Sequence, residues 1–280
     1  MADNKAGDVL ADGLSRDRRA QLSTGYATRR LGAALGLVGL VLLVNGLVAC
    51  AADPEPSPAA HVSSGYPWHT DIVATTFWVG EVFDANASDG SQVISTYDSK
   101  WWEHYGGCDG VVVDGECRTE ARSADNGYFP RNMTPRQNPF YLDLPFDDIN
   151  NSTAFAQRSS VVPWAHEPGL SSRAGDRSVS FMKNRWVKIK RGDRICYGQI
   201  QDAGPGVYDD AAYVFGSDDR RPANGRYNGA GMDVSPALNS CLAFADLNGA
   251  DDRVDWQFVD DADVPAGPWR ILVTTDGVTP

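Results

Sequence analysis

The chain has 280 residues, 42% of them hydrophobic, and carries 25 Lys and Arg side chains against 37 Asp and Glu, a formal net charge of −12 at pH 7. Residues 1–50 hold six of the basic and four of the acidic side chains, which leaves a net charge of −14 on the remainder. A surface of this charge repels polyanions, so nucleic acid is excluded as a partner. Neutral or mixed-charge partners stay compatible with it, as does an acidic surface that serves solubility alone.

An apolar segment follows a basic pair near the N-terminus. It runs from Leu31 to Ala49 after Arg29 and Arg30, and its Leu-Val-Ala-Cys ending at Cys50 is typical of an exported lipoprotein lipidated at that cysteine. The 19 apolar-segment residues are also just enough to cross a bilayer as a helix, so an uncleaved signal anchor is an alternative, and a cleaved secreted protein is another. Each alternative places the rest of the chain outside the cytoplasm, at the cell surface or beyond it.

The composition divides the chain into three parts. Residues 1–50 form the signal, lipoprotein or membrane-anchor segment. Residues 51–64 are rich in Pro and Ala and too poor in apolar side chains to fold, so they are predicted to be a disordered tether. Residues 65–280 have the size of one domain, with an insert near 150–183 that carries no recognisable motif.

The predicted elements of this domain are mostly short strands. Alternating, β-branched and aromatic residues predict strands, in chain order, at 76–83, 92–97, 140–144, 186–190, 195–200, 254–259 and 269–274. Residues 191–193 indicate a tight hairpin. Short helices are predicted near 151–157 and at 236–244, the latter with Ser235 as N-cap and Pro236 in the first turn. The pattern predicts an all-β barrel with long loops.

Four of the five cysteines lie downstream of Cys50. Cys108 and Cys117 flank a short acidic loop that a local disulfide would close, whereas Cys196 is on a predicted strand and Cys241 on a predicted helix, which a second disulfide would join. Four thiols allow three connectivities, and all three remain open at this point. An even set of exported cysteines fits an oxidising compartment.

Four short motifs resemble a known fold family. Residues 201–206 (Gln-Asp-Ala-Gly-Pro-Gly) and 231–238 (Gly-Met-Asp-Val-Ser-Pro-Ala-Leu) look like the paired signature of the double-psi β-barrel group, which includes rare lipoprotein A, expansins and their endoglucanase relatives. Residues 95–98 (Ser-Thr-Tyr-Asp) and 105–108 (Tyr-Gly-Gly-Cys) are similar to the group's first barrel strand and the turn after it. The resemblance spans about 92–274 and implies a six-stranded double-psi β-barrel with long loops and one or two short helices.

Three aspartates are the candidate catalytic residues. The resemblance to the endoglucanase relatives implies that Asp98 is the base and Asp233 the acid of a glycosidic cleavage, with Asp202 tuning or positioning them. Two carboxyl groups are what this chemistry needs, one to protonate the leaving oxygen and one to activate water or attack the sugar. The alternative is structural, because Asp233 precedes a helix that it would cap and Asp202 precedes a sharp Gly-Pro-Gly turn.

A cluster of rings directly after Asp98 is the candidate substrate-binding surface. It consists of Tyr97, Trp101, Trp102, His104 and Tyr105. Sugar rings stack their C–H faces on exposed aromatic side chains, so we expect these rings to form a partly exposed platform. The alternative is a small core under the neighbouring disulfide. Three further aromatic residues are weaker candidates for the same role: Trp164, Tyr208 and Tyr213.

Three functions are consistent with these features. The first is an enzyme that cleaves polysaccharide, either a glycoside hydrolase or a lytic transglycosylase. The second is a non-catalytic, glycan-binding domain of the expansin type, and the third is a structural or protein-interaction domain at the cell surface. The expected partners are a polysaccharide, either peptidoglycan or a plant-type glucan, and the membrane through the N-terminal segment. We expect a monomer with no cofactor and no metal, since the histidines lack metal-ligand spacing.

Overall fold

Six strands close into a barrel in the computed structural model, which describes residues 65–83, 91–247 and 249–280. The barrel strands, in chain order, are β1 (His69–Thr76), β4 (Tyr141–Leu144), β5 (Trp186–Arg191), β6 (Arg194–Ala203), β7 (Met232–Val234) and β8 (Asp252–Val259). Around the barrel the order is β1, β7, β4, β6, β5, β8, and β8 pairs with β1 to close it. The pairs β1/β7 and β4/β6 are parallel and the others are antiparallel. The predicted all-β barrel is confirmed.

Short elements decorate the barrel. A hairpin of β2 (Val111–Val113) and β3 (Glu116–Arg118) lies outside it, and the described residues form five short α-helices where one or two were predicted. The helices are α1 (Trp101–Tyr105), α2 (Ser152–Val161), α3 (Pro168–Ser171), α4 (Ala211–Val214) and α5 (Pro236–Leu242). Helix α5 begins as predicted, because the Ser235 side chain accepts a hydrogen bond from the Leu238 N–H.

The first barrel strand is not where the sequence placed it. The predicted strand at 76–83 is wrong beyond Thr76, because β1 ends there and Gly80 takes a φ of +89° with the Trp102 ring in the space that a Cβ would occupy. The predicted strand at 92–97 is also wrong. Residues 95–98 form only isolated bridges, so they are not the first barrel strand that the resemblance implied. The true strand begins with polar residues and includes Asp71 at a φ of +54°, which hides its alternation.

One further predicted strand is absent and one barrel strand was not predicted. The segment 269–274 contains the end of a 3₁₀ turn at Pro268–Arg270 and no strand, because Pro268 favours the first position of a helical turn. Strand β7 was missed because its three residues, Met232–Val234, are too few to show a period of two. The chain therefore reaches six barrel strands through a different set from the one predicted.

The barrel interior is filled by large apolar side chains. The fully buried ones include Ile72, Leu142, Ile189, Val234, Leu238 and Trp256. The 150–183 insert adds to this core through Trp164 and Phe181, so it packs on the barrel. Buried Arg158 of α2 orders the insert by donating to the carbonyl oxygens of Arg173, Ala174, Asp176 and Val179.

Two disulfides have the connectivity favoured by the cysteine positions. Cys108 bonds Cys117 and Cys196 bonds Cys241, so the second bond ties α5 to β6. Closing loops of these lengths stabilises a fold by about 2–4 kcal/mol each. Two disulfides suggest an extracellular, oxidising environment. The predictions for Cys50, for the anchor segment 1–50 and for the tether 51–64 lie outside the described residues.

Within the described ranges, every helix is too short or too polar to cross a membrane.

Candidate functional site

An open groove of about 760 Å³ crosses the barrel where β1, β4, β6 and β7 and the loops after them meet. Its lining is acidic in one part and apolar in another. The acidic side chains are Glu81, Asp143, Asp147, Asp202 and Asp233, and the exposed rings are Phe83, Tyr208 and Tyr227.

Strand register brings three of these carboxyl groups together. Strand β4 lies between β7 and β6, and Asp143 on β4 is paired with Asp233 on β7 and with Asp202 on β6. The Asp143 Oδ1 accepts a hydrogen bond of 3.0 Å from the Asp233 backbone N–H. We call these three residues the aspartate row. Asp202 and Asp233 were predicted site residues and Asp143 was not.

Asp143 and Asp233, two members of the row, have raised pKa values. Burial, then the charges of Asp233 and Asp202, raise the pKa of Asp143 well above its usual range. Burial, then the charges of Glu81 and Asp202, raise the pKa of Asp233 to about 8. The Asp233 Oδ1 is buried and has no hydrogen-bond partner among the described residues. Asp233 is therefore a neutral acid at neutral pH, with a proton available for transfer.

Asp202 is held by several donors. Its carboxylate accepts hydrogen bonds from the Thr96 and Ala203 backbone N–H groups and from the Gln92 side chain, at 2.7–2.8 Å. Burial raises the pKa of Asp202 to about 6, because it outweighs the two N–H donors, which lower it. Asp202 is thus largely ionised at neutral pH and fixes the 91–97 loop to the end of β6.

The Gly-Pro-Gly turn after Asp202 is shaped by the aspartate row. A Cβ on Gly204 would lie 2.7 Å from the Asp143 Oδ2, so only glycine permits the turn to approach that carboxyl group. The motif forms the sharp turn that was predicted, and its backbone packs directly on the Asp143 side chain.

Glu81 is a groove carboxyl group that sequence analysis missed. It lines the groove, and burial raises its pKa to about 7 against the opposing effect of the Trp78 backbone N–H. Its charge contributes to the raised pKa of Asp233. The segment around it was interpreted as strand interior, which concealed Glu81. An acidic residue within an apolar run was the available signal for both Glu81 and Asp143.

Asp98 lies elsewhere. Its side chain is 1% exposed, and it is not among the residues that line the groove. Its Oδ2 is 2.8 Å from the His104 Nδ1, and its Oδ1 accepts a hydrogen bond from the Lys100 N–H, so it anchors the start of α1. The expectation that Asp98 joins Asp202 and Asp233 in one groove is corrected by this placement.

The predicted aromatic platform is a small core instead. Tyr97, Trp101 and Tyr105 are at most 1% exposed. Trp101 and Tyr105 are four residues apart on α1 and pack on Tyr141, with ring centroids 5.2 and 5.7 Å away, which is the alternative weighed for this segment. Trp102 is half-buried against Gly80 and the first disulfide, and the His104 ring is hydrogen-bonded to Asp98. We call Asp98, Trp101, His104 and Tyr105 the sealed cluster.

A different set of rings is exposed at the groove. Phe83 and Tyr227 are each 62% exposed and Tyr208 is 47% exposed. We call these three residues the aromatic rim. Burial, then the charges of Asp143 and Asp202, raise the pKa of Tyr208, which places this ring next to the aspartate row. Of the weaker aromatic candidates, only Tyr208 lines the groove, because Trp164 and Tyr213 are buried.

The groove residues form no evident metal centre. No group of three or more His, Cys, Asp or Glu side chains in the described ranges is arranged to hold a metal ion. The chemistry that the groove can perform with these residues is proton transfer between carboxyl groups and a bound molecule.

A closed six-stranded barrel with two disulfides is compatible with a double-psi β-barrel. Comparison with protein-family models, with curated proteins and with solved structures finds no match to this chain.

Proposed function

We propose that the groove binds a polysaccharide chain and cleaves a glycosidic bond, with Asp233 as the general acid. The observation that carries the proposal is a carboxyl group with a pKa raised to about 8 inside an open groove that also has three exposed rings. A neutral carboxylic acid at the operating pH is what protonation of a leaving oxygen requires.

Each carboxyl group has a distinct role in the proposed reaction. Asp233 donates its proton to the glycosidic oxygen as the bond to the anomeric carbon breaks. Glu81, in its ionised form, removes a proton from the water whose oxygen bonds to that carbon. In a transglycosylase, a hydroxyl of the same sugar replaces the water. Asp143 acts as a positioning residue through its hydrogen bond to the Asp233 backbone. Asp202 holds the 91–97 loop beside the groove.

The aromatic rim supplies the binding surface. Exposed rings stack on the C–H faces of sugars, whose hydroxyl groups find partners among the neighbouring polar side chains. We propose peptidoglycan or a plant-type glucan as the polymer. The protein would act as an exported, monomeric relative of rare lipoprotein A and the expansins, held at the cell surface by a lipid on Cys50 or by a signal anchor.

One observation favours a second candidate function, which is glycan binding without cleavage. The base implied by the family resemblance, Asp98, is in the sealed cluster and cannot reach the groove ligand. If Glu81 does not replace it, the groove retains an acid and a binding surface only, as in a domain of the expansin type.

The test compares products and binding. Purified full-length protein is incubated with peptidoglycan, cellulose and xylan, and soluble sugar products and co-sedimentation are measured. Loss of products in Asp233→Asn with binding retained supports the enzyme. The matched control is Asp193→Asn, which changes the same charge in the exposed hairpin between β5 and β6.

The other outcomes decide between the candidates. Products that persist in Asp233→Asn contradict the acid role. Co-sedimentation without products supports the binding domain. Neither products nor co-sedimentation leaves a structural or protein-interaction domain.

A further inference from the structure

The charge of the groove is strongly one-sided. Among the described residues that line it, five are acidic and Arg226 alone is basic. The three members of the aspartate row lie side by side on adjacent strands, with no cationic side chain between them in the described sheet. A cationic ligand that enters the groove would therefore meet mainly acidic side chains in a partly desolvated space and would favour their ionised forms.

The acidic groups of the groove also act on one another. After burial, the charges of Glu81 and Asp202 raise the pKa of Asp233, and the charges of Asp143 and Asp202 raise that of Tyr208. The ionised groups repel each other, and Arg226 is the single basic side chain in the described lining. The buried Asp233 Oδ1 has no hydrogen-bond partner among the described residues, so the groove also holds an unused acceptor.

We propose that the groove selects polysaccharides whose sugars carry free amines, such as de-N-acetylated hexosamine chains, over N-acetylated, neutral or acidic chains. The inference rests on the proposed glycan binding and adds the substrate class. The aromatic rim would hold the sugar faces, and Asp202 and Glu81 would hold the ammonium groups. An ammonium donates up to three hydrogen bonds and relieves the repulsion among the carboxylates. An N-acetyl group brings no charge, and a uronate adds repulsion.

A cationic substrate also fits the proposed chemistry. An ammonium group near Glu81 stabilises the ionised carboxylate, and this is the form that a general base needs. Binding should therefore release protons from the groove carboxyl groups, and this release is measurable in buffers of different ionisation enthalpy.

The experiment compares oligosaccharides that differ in one group. Full-length protein is titrated calorimetrically at about pH 6, where hexosamine amines are largely protonated, with the glucosamine hexamer and the N-acetylglucosamine hexamer. Cellohexaose and a galacturonate hexamer serve as neutral and acidic references. We expect the free-amine hexamer to bind about tenfold more tightly than its N-acetylated form, with the difference shrinking as salt is added.

Variants separate selectivity from folding and from bulk charge. Asp202→Asn should remove most of the preference, Arg226→Gln should increase it, and the matched control Asp193→Asn should leave it unchanged. Tyr227→Ala should weaken binding of the sugar hexamer while binding of a lysine oligomer is unaffected, because stacking needs a ring. Thermal unfolding checks that each variant is folded.

The outcomes are distinct. Equal or tighter binding of the N-acetylated, neutral or acidic chain overturns this inference and leaves the proposed function standing. Binding of the free-amine chain that tracks the lysine oligomer and ignores Tyr227→Ala also overturns it, since bulk charge would then explain the result. Absence of binding to every sugar chain contradicts the proposed function as well.

Discussion

The groove around the aspartate row and the sealed cluster each bring aromatic rings close to aspartate, yet they differ in burial and in how the chain assembles them. The row is assembled from β4, β6 and β7, opens on a groove and contains carboxyl groups with raised pKa values. The sealed cluster is local in sequence. Its Asp98, Trp101 and Tyr105 side chains are buried, and Asp98 is hydrogen-bonded to the Lys100 N–H and lies against His104. The residues that are close along the chain were predicted to form a binding platform but form a core, whereas residues distant along the chain form the candidate site.

The largest expected difference between the regions is in activity. Asp233→Asn should lower the rate of glycan cleavage at least about 100-fold, because the amide cannot donate an acidic proton. Asp98→Asn should leave the rate within about threefold, since Asp98 contacts no groove ligand, and should lower stability by about 1–3 kcal/mol by weakening its contacts to His104 and Lys100. The rate of formation of soluble sugar products measures the effect on activity, and denaturant unfolding measures the effect on stability. A large rate loss in a folded Asp98→Asn protein would reverse the comparison.

Stability should respond most to the sealed cluster. Trp101 is fully buried and packs on Tyr141 and Phe77, so Trp101→Ala should cost about 3–5 kcal/mol through lost burial and a cavity. Urea unfolding measures this cost. A change below about 1 kcal/mol would mean that the ring is not part of a packed core.

The partly buried groove residue Glu81 should make the stability of the protein depend on pH. Burial raises the pKa of Glu81 from 4.5 to about 7, so the folded protein binds more protons than the unfolded chain between these values. The contribution of protonated Glu81 to the free energy of unfolding is fully present below about pH 4.5 and is lost as the pH rises through about 7. Glu81→Gln should therefore raise the melting temperature by a few degrees at about pH 8 and leave it unchanged at about pH 4. Asp193→Asn, measured alongside, should show no such pH-dependent gain.

The smallest stability effect is expected at the aromatic rim. Tyr227 is 62% exposed, so Tyr227→Ala should change stability by less than about 0.5 kcal/mol. The same change should weaken glycan binding about tenfold, because a stacking surface is removed. Melting temperature and titration calorimetry separate the two effects. A marked loss of stability would place Tyr227 with the buried rings rather than with the rim.

Much of the barrel could be predicted from local sequence pattern. Strands β4, β5, β6 and β8 and the start of α5 follow the predicted segments, because β-branched and aromatic residues mark the strands and a Ser-Pro cap marks the helix. Asp202 and Asp233 also lie in the groove, as the two late motifs suggested. The register that brings Asp143 between them depends on strand pairing, which a single sequence does not encode locally.

The errors share a cause. Residues 95–105 contain two acidic side chains and the rings of Tyr97, Trp101, Trp102 and Tyr105, and composition alone does not tell which face of α1 is covered. Trp101 and Tyr105 pack against Tyr141, so these rings are buried and cannot bind a sugar. Phe83 was overlooked because it was assigned to the predicted strand at 76–83, and Tyr227 because no neighbouring ring or motif marks it in the sequence.

The distribution of the aspartate row over three strands has an evolutionary consequence. The insert at 150–183 joins β4 to β5 and contributes no member of the row, so its exposed turns can change in length without moving the aspartates, provided that Trp164 and Phe181 stay in the core. A one-residue deletion inside Tyr141–Leu144 is different, since it would turn Asp143 to the opposite face and leave Asp233 without its anchor. Lineages of this protein should therefore tolerate wide variation in loop size and almost none in the spacing of that one short strand.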